Sequence, residues 1–151
     1  MVILSFVVLT HKPCFSAEQA AQNDLRKAAS VKNKQSNDKK NHKVVVYYFH
    51  GNYRCFSCTR IEQMTLIAVG EAFETEIKNG LLEMKTVNVE NQKNRHFIEE
   101  YQLYTKSVIV SDRAGGKEVR WKNLQRIWEL FRNDEVFKTY IQKEIATYLE
   151  G

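Results

Sequence analysis

Two cysteines three residues apart, Cys55 and Cys58, are the side chains best suited to chemistry in this chain. If a helix begins at the pair, this spacing sets both on neighbouring positions of its first turn, within reach of a disulfide. Free backbone N–H groups and the positive end of the helix dipole favour a negative charge there. A thiolate is such a charge, and the thiolate is the attacking form. Cys55, at or near the N-cap, is therefore the expected nucleophile. Cys58, one turn in and more shielded, is the expected resolving thiol. Arg54 adjoins Cys55 and adds positive charge that would lower its pKa further. His50 precedes the pair closely enough to supply charge or a proton near neutral pH; a loop histidine bonded to solvent or backbone is the plainer alternative.

The same pair admits two other readings. One is a purely structural disulfide. The other is a metal site, although two thiolates make only half of a zinc shell. His50 as a third ligand, or a dimer supplying four thiolates, would be needed, and the chain has no second CxxC. No cofactor and no metal are therefore expected. A Ser/His/Asp set, a phosphate-binding glycine loop and a paired-acid site are all missing from the sequence.

The elements around the pair can be read from patterning. Val44-Val45-Val46-Tyr47-Tyr48-Phe49 is a continuous β-branched and aromatic run, as in a strand buried on both faces. A loop from His50 to Arg54 leads to the cysteines. A long helical pattern follows, with Ile61, Met64, Ala68 and Ala72 on one stripe and Leu66, Val69, Phe73 and Ile77 beside it. Asn79-Gly80 stops it. Residues 82–89 alternate as a second strand. A helix over about 91–101 turns Phe97, Ile98 and Tyr101 inward. Residues 107–110 form a third strand, 112–116 a turn, and 118–121 a returning antiparallel strand. Leu124, Ile127, Trp128 and Phe131 mark a short helix, and Asn133 or Asp134 caps the last one. Trp121 and Trp128 are expected in the core, and His96 on the surface.

A buried strand, a loop and a CxxC at the start of a long helix resemble the thioredoxin superfamily, with residues 44–150 covering the whole domain. A closer resemblance is to a bacterial branch labelled as a nitrophenyl-compound nitroreductase subunit. It rests on Tyr47-Tyr48-Phe49-His50-Gly51 with Arg54-Cys55, on Asn88-Val89-Glu90, and on Trp121-Lys122-Asn123-Leu124. The resemblance implies an α/β, thioredoxin-like fold with a four-stranded mixed sheet flanked by helices. It also implies thiol–disulfide exchange or electron transfer with a protein thiol or disulfide partner. A non-catalytic accessory subunit that docks a redox partner, or a metal-binding CxxC module, are the alternatives. Two positions depart from the superfamily pattern. Arg54 stands where a Trp is usual, and the cis-proline position before the third strand falls on Ser107, the only proline being Pro13. Ser107 is the candidate to donate a hydrogen bond to the thiolate instead.

Charge points away from nucleic acid as a partner. Residues 1–43 hold eight Lys or Arg against three acids, which accounts for the whole net charge of +5. The basicity thus lies in a polar segment, residues 18–43, best read as a solvated linker. Before it, Val2–Thr10 is an apolar run far shorter than the ~20 residues a spanning helix needs. With small residues at Cys14, Ser16 and Ala17 it fits an export-type leader over residues 1–17, although no basic residue precedes it. The expectation is a periplasmic or otherwise exported protein without an integral membrane span in its mature form. Cleavage would remove Cys14 and leave an even cysteine count, as suits an oxidising compartment. The folded domain is then residues 44–151.

Overall fold

The computed structural model describes residues 42–150; the leader, nearly all of the linker and Gly151 lie outside the described residues. Strand β1 (His42–His50) begins two residues earlier than its apolar run, taking in His42 and Lys43 from the end of the expected linker. Each of the two lies near an acid on a neighbouring strand: His42 Nε2 is 2.6 Å from Asp112 Oδ1, and Lys43 Nζ 2.7 Å from Glu83. Helix α1 (Phe56–Ala72) follows the loop, then α2 (Glu74–Lys78), β2 (Leu82–Asn88), a 3₁₀ turn at Gln92–Asn94 and α3 (His96–Glu100). Strands β3 (Ser107–Ala114) and β4 (Lys117–Asn123), helix α4 (Ile127–Leu130) and helix α5 (Asp134–Leu149) complete the chain.

The sheet order is β2-β1-β3-β4. β1 runs parallel to β2 and antiparallel to β3, and β4 is antiparallel to β3. With helices flanking this mixed sheet, the fold is α/β and thioredoxin-like. β1 is central, and its alternation divides two cores. Val44, Val46 and Tyr48 face α1 and α5, packing with Ile61, Phe137, Ile141 and Ile145. Val45, Tyr47 and Phe49 face the other way, onto Tyr101, Leu103 and Phe97. There the Tyr101 hydroxyl donates to Glu118 (2.5 Å), as does Ser111 (2.7 Å). Burial first, and then Glu118, hold the Tyr101 phenol well above its usual pKa.

Several elements differ from their patterns. The long helix breaks at Phe73, which leaves helical geometry (φ −129°, ψ 31°), caps Val69 and tucks its ring into the core. α2 is thereby a separate short helix. Leu66 and Ala72 lie on the solvent side, because the buried stripe of α1 is narrower than the apolar pattern, and Ile77 on the separate α2 is exposed as well. The helix over 91–101 is two short pieces interrupted at Arg95, and Ile98 is exposed while Tyr101 is buried. The turn after β3 is only Gly115-Gly116, both with positive φ (59° and 81°), the two-residue hairpin geometry that glycine permits. β3 therefore continues through Asp112 to Ala114, with a register shift between Asp112 and Arg113. Trp121 is 36% exposed rather than core: it lies on the edge strand, its ring T-shaped to that of Tyr101 with centres 5.2 Å apart. Asn133 is the N-cap of α5, its side chain accepting from the Val136 N–H.

At the other sheet edge the Lys43 ammonium, with Lys85 adding, holds the Glu83 carboxyl below its usual range. A depressed carboxylate pKa contributes stability above the unfolded-state value and loses it as pH falls through the folded one. Glu83→Gln is therefore expected to cost about half a kcal/mol at pH 7, small because the pair is solvent-screened. The cost should fade at an acidic pH below the usual carboxylate range, where Glu83 is protonated in both states. Urea denaturation at the two pH values checks this.

A candidate redox site at the start of helix α1

β1 ends at the carboxyl edge of the parallel pair, the side of an α/β sheet where crossover loops gather and sites form. Gly51 carries the chain out of the strand. A Cβ on Gly51 would run into the Glu90 carboxylate, so any larger residue would displace Glu90 or the loop. Asn52, Tyr53 and Arg54 are exposed, and Cys55 is the N-cap of α1 (φ −77°, ψ 164°).

Cys55 and Cys58 are joined as a disulfide, with Cα atoms 5.0 Å apart. The Cys58 N–H points at Cys55 Sγ, 3.2 Å away. That contact is a side-chain cap of the kind serine or aspartate makes, with sulfur as acceptor. One first-turn N–H thus faces the Cys55 sulfur, where a thiolate would sit on reduction. Cys55 is partly exposed, whereas Cys58 is 1% exposed. The two sulfurs differ in access in the sense expected of a leading and a resolving thiol.

The other expected residues are placed as follows. Arg54 does not offer its charge freely to Cys55. Its guanidinium is ion-paired with Glu62 and lies 6.0 Å from the centre of the Tyr48 ring. His50 stacks on Tyr48 with ring centres 6.1 Å apart, and its Nδ1–H donates to its neighbour's carbonyl, Gly51 O, at 2.8 Å. This backbone-bonded state is the plainer of the two expectations for His50, and it leaves Nε2 as the free ring nitrogen. Ser107 is buried at the start of β3, but its hydroxyl donates to Thr105 O (3.0 Å). With the cysteines joined as a disulfide, its one hydroxyl hydrogen closes a local turn in the loop before β3.

Two residues at the site had no motif to announce them. Tyr48 is fully buried, and its hydroxyl donates to the Cys58 carbonyl at 2.7 Å. This bond ties the CxxC turn to the central strand. Burial raises the Tyr48 pKa, with Arg54 opposing, so the phenol stays a donor at neutral pH. Tyr48→Phe is expected to cost about 1 kcal/mol of stability, the net worth of one such bond, read as a lower urea midpoint. Glu62 is the second. Its position four residues after Cys58 was visible, and a helical wheel would have stacked the two, but its pairing with Arg54 is a tertiary fact.

The site is braced from behind. Arg60 donates to Phe131 O (3.0 Å) and to Asp134 Oδ1 (2.5 Å), linking α1 to the start of α5. Trp128 Nε1 donates to Lys106 O (3.2 Å), fixing α4 against the loop before β3. On either side of this loop lie two hollows that share Tyr104 and Thr105. One, of about 320 Å³, is lined by Ser107, Asn123 and Trp128; the other, of about 150 Å³, by His50, Glu90 and Lys106. Tyr53, Phe56 and Tyr104 are 76%, 80% and 94% exposed. Among the described residues no group of three His, Cys, Asp or Glu is placed to hold a metal, and no helix is long and apolar enough to cross a membrane.

No protein-family model and no curated protein matches the chain. Solved thioredoxin structures do. A Fasciola hepatica thioredoxin is 19% identical, with a TM-score of 0.43 over 80% of this chain and 93% of that one. A Trypanosoma brucei brucei thioredoxin is 15% identical, with a TM-score of 0.41 over 77% and 86%. A Plasmodium falciparum thioredoxin is 18% identical, with a TM-score of 0.40 over 70% and 85%. This chain carries its cysteine pair at the N-terminus of the first described helix.

Proposed function

We propose that the protein is a thiol–disulfide oxidoreductase or electron-transfer protein, with Cys55 as nucleophile and Cys58 as resolving thiol. The observation that carries this reading is the unequal disulfide itself: an accessible N-cap sulfur bonded to a buried one a turn further in.

The exchange runs in two displacements. A partner thiolate attacks Cys55 Sγ, and the Cys55–Cys58 bond breaks. Cys58 leaves as a thiolate and takes up a proton. The partner's second thiol, deprotonated, then attacks the partner sulfur of the mixed disulfide, and Cys55 leaves as a thiolate. Two electrons have passed from the partner dithiol to this pair, and the partner has become a disulfide. The reverse sequence reduces a partner disulfide. The helix N-terminus stabilises the charge on Cys55 at both ends of the cycle.

The partner is a protein thiol or disulfide, met through the exposed Tyr53 and Phe56 beside Cys55. The segments similar to the nitrophenyl-compound nitroreductase subunits fit this reading, since a subunit of that kind could pass electrons through such a pair. An exported, periplasmic location is part of the same proposal and rests on the apolar run Val2–Thr10 with small residues after it; cell fractionation with an antibody against the chain tests it. The function is tested by equilibrating the protein with glutathione mixtures and counting free thiols. A reversible two-electron transition is expected. A pair that stays oxidised under strong reductant would instead mark a docking subunit, and stoichiometric metal on the reduced protein a metal module.

A further inference from the structure

Arg54 and Glu62 are eight residues apart, one before the cysteine pair and one after it, yet their side chains meet as an ion pair. Glu62 lies four residues beyond Cys58, on the same side of α1 and one turn deeper. Its side chain is 14% exposed and that of Arg54 33%. A carboxylate this shielded is costly to leave without a cation. It therefore draws the guanidinium across the Tyr48 ring and along the helix. The other charged or titratable groups at this end of the sheet include Arg60, His50, Glu90 and Lys106. Arg60 is bound to Phe131 O and Asp134, and His50 Nδ1 to Gly51 O. Glu90 and Lys106 line the hollow floored by Phe49 and Leu103, in the second core. Arg54 adjoins Cys55 in the chain, and its guanidinium is paired with a competing anion, Glu62.

We propose that Glu62 tunes the acidity of Cys55 by competing with its thiolate for Arg54, an inference that rests on the thiol-exchange reading above. A dithiol partner gives up two electrons and two protons and becomes a disulfide. The Cys55–Cys58 bond breaks, Cys58 keeps one proton as a thiol, Cys55 is left as a thiolate, and the second proton goes to solvent. One guanidinium then serves two anions. While Glu62 holds its share, Cys55 relies mainly on the helix N-terminus, and its pKa stays higher than the Arg54-Cys55 sequence suggests. Removing the Glu62 charge gives Arg54 to the thiolate alone. A close cation lowers an anion's pKa by about one to three units, and partial exposure sets the expectation at the lower end.

The test uses the full chain and two readouts: the pH dependence of Cys55 alkylation by iodoacetamide, and the exchange constant with glutathione. Glu62→Gln, nearly isosteric, is expected to make Cys55 about tenfold more acidic. The disulfide should become more oxidising by up to the same factor, or about 30 mV. Glu62→Asp, whose shorter carboxylate loosens the pair, should fall between. In an Arg54→Ala background Glu62→Gln should leave Cys55 acidity where that background sets it. The proposal is overturned if Glu62→Gln leaves the alkylation profile unmoved, or if its shift persists without Arg54, as a purely structural disturbance would. In either case a wild-type pair that still equilibrates with glutathione keeps the exchange reading intact. A wild-type pair that does not equilibrate sinks both.

Discussion

Replacing Cys55 by Ser is expected to reduce disulfide exchange to the uncatalysed background, whereas replacing Cys58 by Ser should leave the first displacement and block the second. The two outcomes differ because the two sulfurs differ in place. Cys55 is the N-cap and partly exposed; Cys58 is buried, with its N–H aimed at the first sulfur and its carbonyl held by Tyr48. A serine hydroxyl at 55 still caps the helix, so the domain should fold, but it provides no thiolate near neutral pH. With Cys58→Ser, Cys55 attacks a partner disulfide and forms a mixed disulfide that no internal thiol resolves. Insulin reduction by dithiothreitol, followed as turbidity, measures the loss. Mass spectrometry of Cys58→Ser after treatment with a disulfide peptide should show the adduct, and the Cys55→Ser chain should show none. Equal trapping by both variants would reverse or erase the assignment of roles.

The second large effect is expected far from the sulfurs. Phe137 on α5 is fully buried in the core that includes Ile61, Met64 and Ala68 of α1. Phe137→Ala should destabilise the fold by about 3–5 kcal/mol, through lost burial and the cavity left behind. For a domain of this size that lowers Tm by more than about 10 °C. The functional consequence follows from what α5 supports. Arg60 ties α1 to Asp134 at the start of α5 and to Phe131 just before it. A loosened α5 frees the helix that carries both cysteines, so thermal scanning and the alkylation rate of reduced Cys55 should change together. A variant that melts like wild type would mean that α5 is not a principal support of this core. Glu83→Gln, at the opposite sheet edge, provides the contrast, because a screened surface ion pair contributes little.

Much of this arrangement was legible in the residues alone. The run 44–49 is apolar at every position, which only a strand covered on both faces accommodates, and β1 is such a strand. The hairpin followed from two β-rich runs around a turn read over 112–116, and the α5 cap from Asn133 or Asp134, of which Asn133 is the cap. Cysteines at 55 and 58, between that strand and a helical pattern, announced the pair and its unequal exposure, because N-cap and first-turn positions follow from local geometry. These features depend on neighbours a few residues away, and local sequence encodes them directly.

Other features depended on partners distant in the chain. Apolar periodicity marks which side chains are able to be buried, not how wide a face its neighbours cover. Leu66, Ile77 and Ile98 therefore lie exposed, and Trp121 sits half-open on an edge strand. The same holds for charge and hydrogen bonding at the site. Arg54 next to Cys55 reads as a helper of the thiolate until Glu62 is seen to hold it. Ser107 reads as a donor to sulfur; with the cysteines joined as a disulfide, its hydrogen is on Thr105. Tyr48 reads as one more core aromatic until its hydroxyl is found on the Cys58 carbonyl. A polar group's effect is set by which partner satisfies it, and burial makes that choice strict because an unpaired polar group there is costly. Sequence by itself determined that a cysteine pair stands at a helix start; the tertiary packing decided which charges and donors lie within that pair's reach.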